Sequence, residues 1–252
     1  MHPPAGQRLT MGDLQASQDL RRLEALRSYA ILDTPAEDSF DQLVQLASGL
    51  CGTPMAVVSF VDQHRQWFKA SIGVPMTETE RWMSFCTHLM HSTEPVVQVS
   101  DTHQHPMFDS HPLVLGEPYL RAYACAPLRS PEDEVVGTLA VMDTVPRSWQ
   151  PEQTQGLAFL ARQVMVQLEL RRQQRLLAQL VQERYQMHAE LRAQGEALQV
   201  AGRIARIGGW IVELPSMRLT WSQDIAQDCG LLRRVGSVAQ ILALFAPTYR
   251  SR

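Results

Sequence analysis

The stretch Met55–Ser71, MAVVSFVDQHRQWFKAS, decides the fold. Met55 to Val61 is an unbroken run rich in β-branched side chains, which pack well on a pleated surface. Asp62-Gln63-His64-Arg65 interrupts it, and Gln66 to Ser71 resumes the strand composition, so the segment reads as a β-hairpin. Working outward, further strands are expected at Val96–Val99, Ala122–Leu128 and Val135–Met142. The last two are joined by Ser130-Pro-Glu-Asp-Glu134, a turn composition.

Upstream, the pattern changes to helical spacing. Leu20, Leu23 and Leu26 mark one amphipathic helix. Asp33-Thr-Pro-Ala-Glu37 reads as the start of a second. Thr34 would be its N-cap, Pro35 its first residue and Glu37 the partner in a capping box. Phe40, Leu43, Val44, Ala47 and Leu50 continue the apolar stripe, and Gly52 is placed to end it. Ser84–His91 reads as a short helix. Asp101–Tyr119 is polar, irregular and dotted with proline, and so long a loop inside a compact domain is often functional.

Downstream, no proline occurs between Pro151 and Pro215, and one helix is expected over 152–200. At ~1.5 Å per residue such a helix spans on the order of 70 Å. Leu170, Leu177, Leu191 and Leu198 share a seven-residue register, broken once by Arg184, and Leu180 and Val181 supply intervening contacts. Arg171-Arg-Gln-Gln-Arg175 is too polar for a buried surface, so a coiled coil holding a homodimer is the expectation. From Ile204 to Ser222 the chain reads as strand, turn, strand, followed by helical material.

Of the 252 residues 45% are hydrophobic and 19% charged, which excludes a mostly disordered or collagen-like chain. No apolar run approaches the ~20 residues of a membrane span, and the first residues lack the apolar core of a secretory signal. A cytoplasmic location is therefore expected. The net charge of −3 advertises no nucleic-acid partner. Arginine supplies all the basic residues except Lys69. Cys51, Cys86, Cys125 and Cys229 form no CxxC pair, as in a reduced protein without structural disulfides.

Several of these segments resemble the GAF domains of bacterial sensor histidine kinases and cyclic-di-GMP enzymes. They are Leu23–Glu37, Phe40-Asp41, Val58–Asp62, Arg65–Lys69, Ser84-Phe-Cys86 with His88, Pro112–Val114, and Gly137-Thr-Leu139 with Asp143. The resemblance implies an α/β (α+β) fold with a central antiparallel sheet, helices on one side and ligand-binding loops on the other. Ile207-Gly-Gly-Trp210, Leu219–Ser222 and Phe245-Ala-Pro247 resemble the opening of a PAS domain. The implied order is a flexible N-terminus over 1–17 and a GAF sensory domain over 18–166. A signalling helix over 152–200 overlaps its end, and the N-terminal part of a PAS domain fills 201–252. The implied role is sensory input and dimerisation, relayed to a downstream histidine kinase or cyclic-di-GMP enzyme, with no enzyme activity in these residues. A ligand-free dimerisation module is the alternative, and a thiol redox sensor through Cys86 and Cys125 a more distant one.

The pocket contributors expected on this basis are Phe60, Trp67, Cys86, His88, Arg121 and Tyr123, for an unknown small molecule. No catalytic residue, metal or cofactor is expected. On a helix only His88 and His91 of the Cys86, His88 and His91 cluster share a face. His103, His105 and His111 read as members of a solvated loop. The Cys-His pair of bilin-binding relatives is interrupted here by Thr87, and the Asn-Lys-x-Phe-Asp-Glu type string of cyclic-nucleotide binders is absent. The family's Arg-Phe-Tyr-Ala-Gly run appears as Arg121-Ala-Tyr-Ala-Cys125, so the pocket shape departs from the family norm.

Overall fold

The computed structural model describes residues 11–89, 92, 94–205, 210–214, 216, 218–221 and 235–237. The chain divides into two compact units, residues 1–177 and 178–252. The hairpin read from Met55–Ser71 forms as β1 (Met55–Val61) and β2 (Arg65–Ile72). With β3 (Glu78–Glu80), β4 (Val97–Val99), β5 (Ala122–Arg129) and β6 (Val135–Asp143) they build a six-stranded sheet ordered β3-β2-β1-β6-β5-β4. Every neighbouring pair is antiparallel. β1 is central and buried at every residue, which is why its sequence is a continuous apolar run without alternation.

The two faces of the sheet are distinct. Ala56, Val58 and Phe60 of β1 point toward α1 (Met11–Tyr29), α2 (Asp38–Cys51) and the first turns of α5 (Pro151–Ala205). Met55, Val57 and Val61 point to the other face, under α3 (Phe85–Leu89), α4 (Pro112–Leu115) and the long loop between β4 and β5. Gly137 of β6 lies so close to β1 that a Cβ there would sit 2.0 Å from the Ser59 carbonyl oxygen. Glycine is the residue that permits this approach.

α2 ends as its sequence directs. Gly52 takes the left-handed conformation, and Gly52 N and Thr53 N donate to Gly49 O and Ser48 O. Asp143 at the end of β6 holds Arg147, which donates to the Cys51 and Gly52 carbonyls and closes the same helix end. The start of α2 differs from the expectation. Its first helical residue is Asp38, the N-cap is Glu37, and no side chain caps it.

A bulge explains the shift. Val58 pairs with Ala70 and Ser59 with Phe68, so Lys69 is the extra residue on β2. The bulge turns Lys69 toward the helices, where its side chain is fully buried. Nζ donates to Thr34 Oγ1 (2.9 Å), Pro35 O (2.5 Å) and Glu37 Oε1 (2.7 Å), and lies 5.3 Å from the Phe40 ring centre. Thr34 and Glu37, which a capping box would use on the backbone, are taken by the ammonium instead. A buried charge without partners costs more than an open N-cap.

α5 is longer than expected, with 55 residues. Leu157, Ala161, Val164 and Leu168 bury into the helical face of the sheet. The arginines that follow do not leave the domain, contrary to the expectation. Arg171 pairs with Glu37 (2.5 Å), and Arg175 donates to the Tyr29 and Ser28 carbonyls. Arg172 pairs with Glu169 and lies 5.2 Å from the Tyr29 ring centre. Leu170, Leu177, Leu180, Val181, Leu191 and Leu198 are all exposed in the protomer.

α1 begins at Met11, so residues 11–17 of the expected flexible terminus are helical. Its buried Arg22 donates to Asp19 and to the Val61 carbonyl, and Asp19 receives Arg81 at 2.8 and 2.9 Å. In the second unit β7 (Trp210–Glu213) and β8 (Arg218–Trp221) form the expected hairpin. β9 (Val235–Ser237) joins β8 as a third strand, where helical material was expected. Ile207, Ser222 and Phe245-Ala-Pro247 of the PAS resemblance lie outside the described residues.

Two outcomes follow from these ion pairs. Glu37→Ala leaves the Lys69 ammonium buried without its counter-ion and lowers stability by about 3 kcal/mol. Adding Lys69→Met to that variant recovers much of the loss in urea unfolding, which identifies the buried charge as the cause. The Arg81 and Arg22 hydrogen bonds outweigh partial burial and hold the Asp19 carboxyl down, from 3.8 to about 2. A carboxyl depressed in the folded state stabilises fully above its unfolded value. That contribution disappears as the pH falls from about 4 to about 2. Asp19→Asn therefore flattens the acid limb of the unfolding curve, by roughly 1–2 kcal/mol after solvent screening of a part-exposed pair.

Candidate functional site

The sheet face opposite α2 and α5 carries a cavity of about 50 Å3. Alternation along the strands selects its floor: Met55 and Val57 from β1, Gln66 and Phe68 from β2, Tyr123 from β5, and Ala140 and Met142 from β6. Phe85 and Cys86 of α3, Leu113 of α4, and Pro118 and Leu120 of the long loop close the other side. Val74, Met76, Thr79 and Met83 complete the wall near β3. Phe85 stacks on Phe108 (4.4 Å between centres) and Tyr123 (5.2 Å) and packs against His111 (4.3 Å), so an aromatic cluster fixes α3 over the sheet.

Cys86 Sγ is the centre of a buried polar cluster. Thr138 Oγ1 lies 2.8 Å away, Tyr123 Oη 3.0 Å and Gln66 Nε2, a donor, 3.1 Å. Gln66 also donates to Ser59 Oγ at 2.6 Å, and Ser59 faces Thr138 at 3.3 Å. These contacts satisfy the groups that the sheet and α3 bury together. Thr79 Oγ1 is different: it is buried and has no hydrogen-bond partner.

Burial sets the protonation of the neighbouring groups. Desolvation raises the Tyr123 hydroxyl well above its ordinary range, and it pushes the Cys125 thiol up as well. Burial likewise pushes the Cys51 thiol up to about 11. These groups stay neutral at physiological pH, and a buried neutral thiol is a poor nucleophile.

The expected pocket residues separate into four groups. Cys86 and Tyr123 line the cavity. Phe60 and Trp67 pair across β1 and β2 on the opposite face and are buried among the helices. Arg121 is engaged by Asp101 through two hydrogen bonds, of 3.0 and 2.9 Å, away from the cavity lining. His88 belongs to α3, and its side chain, like His91, lies outside the described residues. Gln66, Phe68 and Thr79 were missed, although period-two alternation excludes Trp67 wherever Gln66 and Phe68 share a face. The histidines of the long loop have separate tasks. His105 stacks on Phe108, and His111 Nδ1 accepts from Leu113 N at the start of α4.

Residues 35–168 match the family described as GAF domain. A cyclic di-GMP phosphodiesterase of Pseudomonas aeruginosa is 37% identical over 139 residues, 55% of this chain and 24% of that relative's length. The GAF domain of an Acinetobacter phosphoenolpyruvate-protein phosphotransferase aligns at 17% identity over 63% of this chain and 95% of its own, with a TM-score of 0.45. The blue-light absorbing form of the PixJ GAF domain of Thermosynechococcus elongatus aligns at 20% identity over 64% and 95%, also at 0.45. Among the described residues no helix is long and apolar enough to cross a membrane.

Cys51, Cys86 and Cys125 are all buried in the folded domain. With Cys229 replaced by serine, a soluble disulfide reagent at pH 7.5 reacts with the remaining thiols no faster than the domain opens. Millimolar hydrogen peroxide leaves Cys86 and Cys125 reduced by mass spectrometry. Rapid oxidation of this pair in the folded chain would instead revive a thiol redox role.

Proposed function

Because the chain belongs to the GAF domain family through residues 35–168, we propose that it is the sensory input and dimerisation region of a signal-transduction protein. One uninterrupted helix carries this reading. α5 contributes Leu157 to Leu168 to the domain core and then presents Leu170, Leu177, Leu180, Val181, Leu191 and Leu198 to solvent. Exposed leucines at heptad spacing are unfavourable in a lone protomer and are covered when two copies wind together. The domain's ligand cavity lies on the sheet face opposite that helix, so an event there reaches α5 only through the strands. A ligand acts by preferring one of two packings of sheet and helix, and it shifts their populations by no more than that difference in affinity.

The relay runs from the domain through the parallel coiled coil to a PAS domain that begins near residue 201. Beyond it stands an output enzyme. Its class is cyclic-di-GMP turnover, supported by the 37% identity to a cyclic di-GMP phosphodiesterase over the GAF region. The match covers 24% of that relative's length. The residues of this chain sense and transmit.

Sedimentation equilibrium of the whole chain gives twice the monomer mass. Leu177→Glu with Leu191→Glu gives a monomer whose GAF core melts within a few degrees of the parent, because both positions are exposed in the protomer. A monomeric parent, or a double variant that stays dimeric, overturns the coiled-coil relay.

A further inference from the structure

The cavity also fixes the chemistry of what it can hold, and this deepens and rests on the ligand-sensing reading above. Among the described residues that line it none carries a charge. A phosphate, carboxylate or ammonium placed there would lose its hydration and meet no counter-ion, at a cost of several kcal/mol. The polar groups on the floor are already committed: Gln66 and Tyr123 converge on Cys86. Thr79 Oγ1 alone among the lining side-chain hydroxyls is buried without a partner. Four of the lining residues, Met55, Met76, Met83 and Met142, are methionines. Unbranched thioether side chains repack at low cost, so the 50 Å3 present is a resting volume that the walls can enlarge.

We propose that the cavity takes a small uncharged molecule with an apolar body and one hydrogen-bonding atom, which pairs with the Thr79 hydroxyl. The apolar body displaces methionine side chains, and the polar atom satisfies the lining hydroxyl that lacks a hydrogen-bond partner. Thr79 lies on β3, the edge strand beside β2, so occupancy changes the sheet edge that carries Gln66 and Phe68. Anionic ligands, cyclic nucleotides included, are excluded by the same walls.

The test uses the full chain labelled with methyl-13C methionine, with signals assigned by single Met→Leu replacements, and three probes of similar size: phenol, toluene and benzoate. Phenol and toluene shift the four cavity methyl signals saturably, phenol binding about fivefold more tightly through its hydroxyl. Benzoate leaves them unmoved. Thr79→Val reduces phenol to the affinity of toluene and leaves toluene unchanged, while the methionine signals outside the cavity report an intact fold. Benzoate binding at the same methyls, or a phenol preference that survives Thr79→Val, overturns the proposal and leaves ligand sensing standing. No shift with any probe overturns both.

Discussion

The ammonium of Lys69 has to be neutralised inside the protein, and much of the domain is arranged around that requirement. It is buried because a bulge on β2 inserts it between Phe68 and Ala70. A buried ammonium is costly unless it collects acceptors. It takes Thr34, Pro35 and Glu37, which fixes the segment before α2 and delays the helix start to Asp38. Glu37 in turn receives Arg171 of α5. One carboxylate thereby joins the sheet, the entry to α2 and the long helix at the point where its core-facing stripe ends.

Around this node the sheet separates two environments. On one face Phe60, Trp67 and the apolar stripes of α2 and α5 make a dense core. On the other, short helices and a long loop cover a cavity walled by methionines and aromatic rings. The dense face couples the sheet to α5. The cavity face supplies the space that the proposed ligand would occupy. Both faces are written into β1, β2 and β6 by alternation, so a displacement of these strands is felt on both sides. In the proposed sensing role, this is the physical route from the cavity to the helix.

Much of this was legible along the chain. The strands around Met55–Ser71, Ala122–Leu128 and Val135–Met142 formed, as did the helix closed by Gly52, because each is specified by neighbouring residues. The site was legible only in part. Cys86 and Tyr123 face the cavity, but Phe60 and Trp67, expected there alongside the family resemblance, are sent to the core by strand parity. Arg121 was drawn there by its motif and is held by Asp101 instead. The arginines after Leu170 looked like a solvated surface, but carbonyls and carboxylates of α1 and the following loop meet them. None of those partners is near them in sequence.

Local pattern was enough to set the strands β1, β2, β5 and β6, the helix closed by Gly52 and the continuous α5, since these follow from propensity, period and caps within a few residues. Tertiary structure decided which strands became neighbours, where the bulge fell, and which side of each strand met helices or cavity. It also decided that Thr34 and Glu37 serve a buried ammonium in place of a helix end. Those outcomes compare the energies of contacts between residues far apart in the chain, and local pattern carries no record of that comparison.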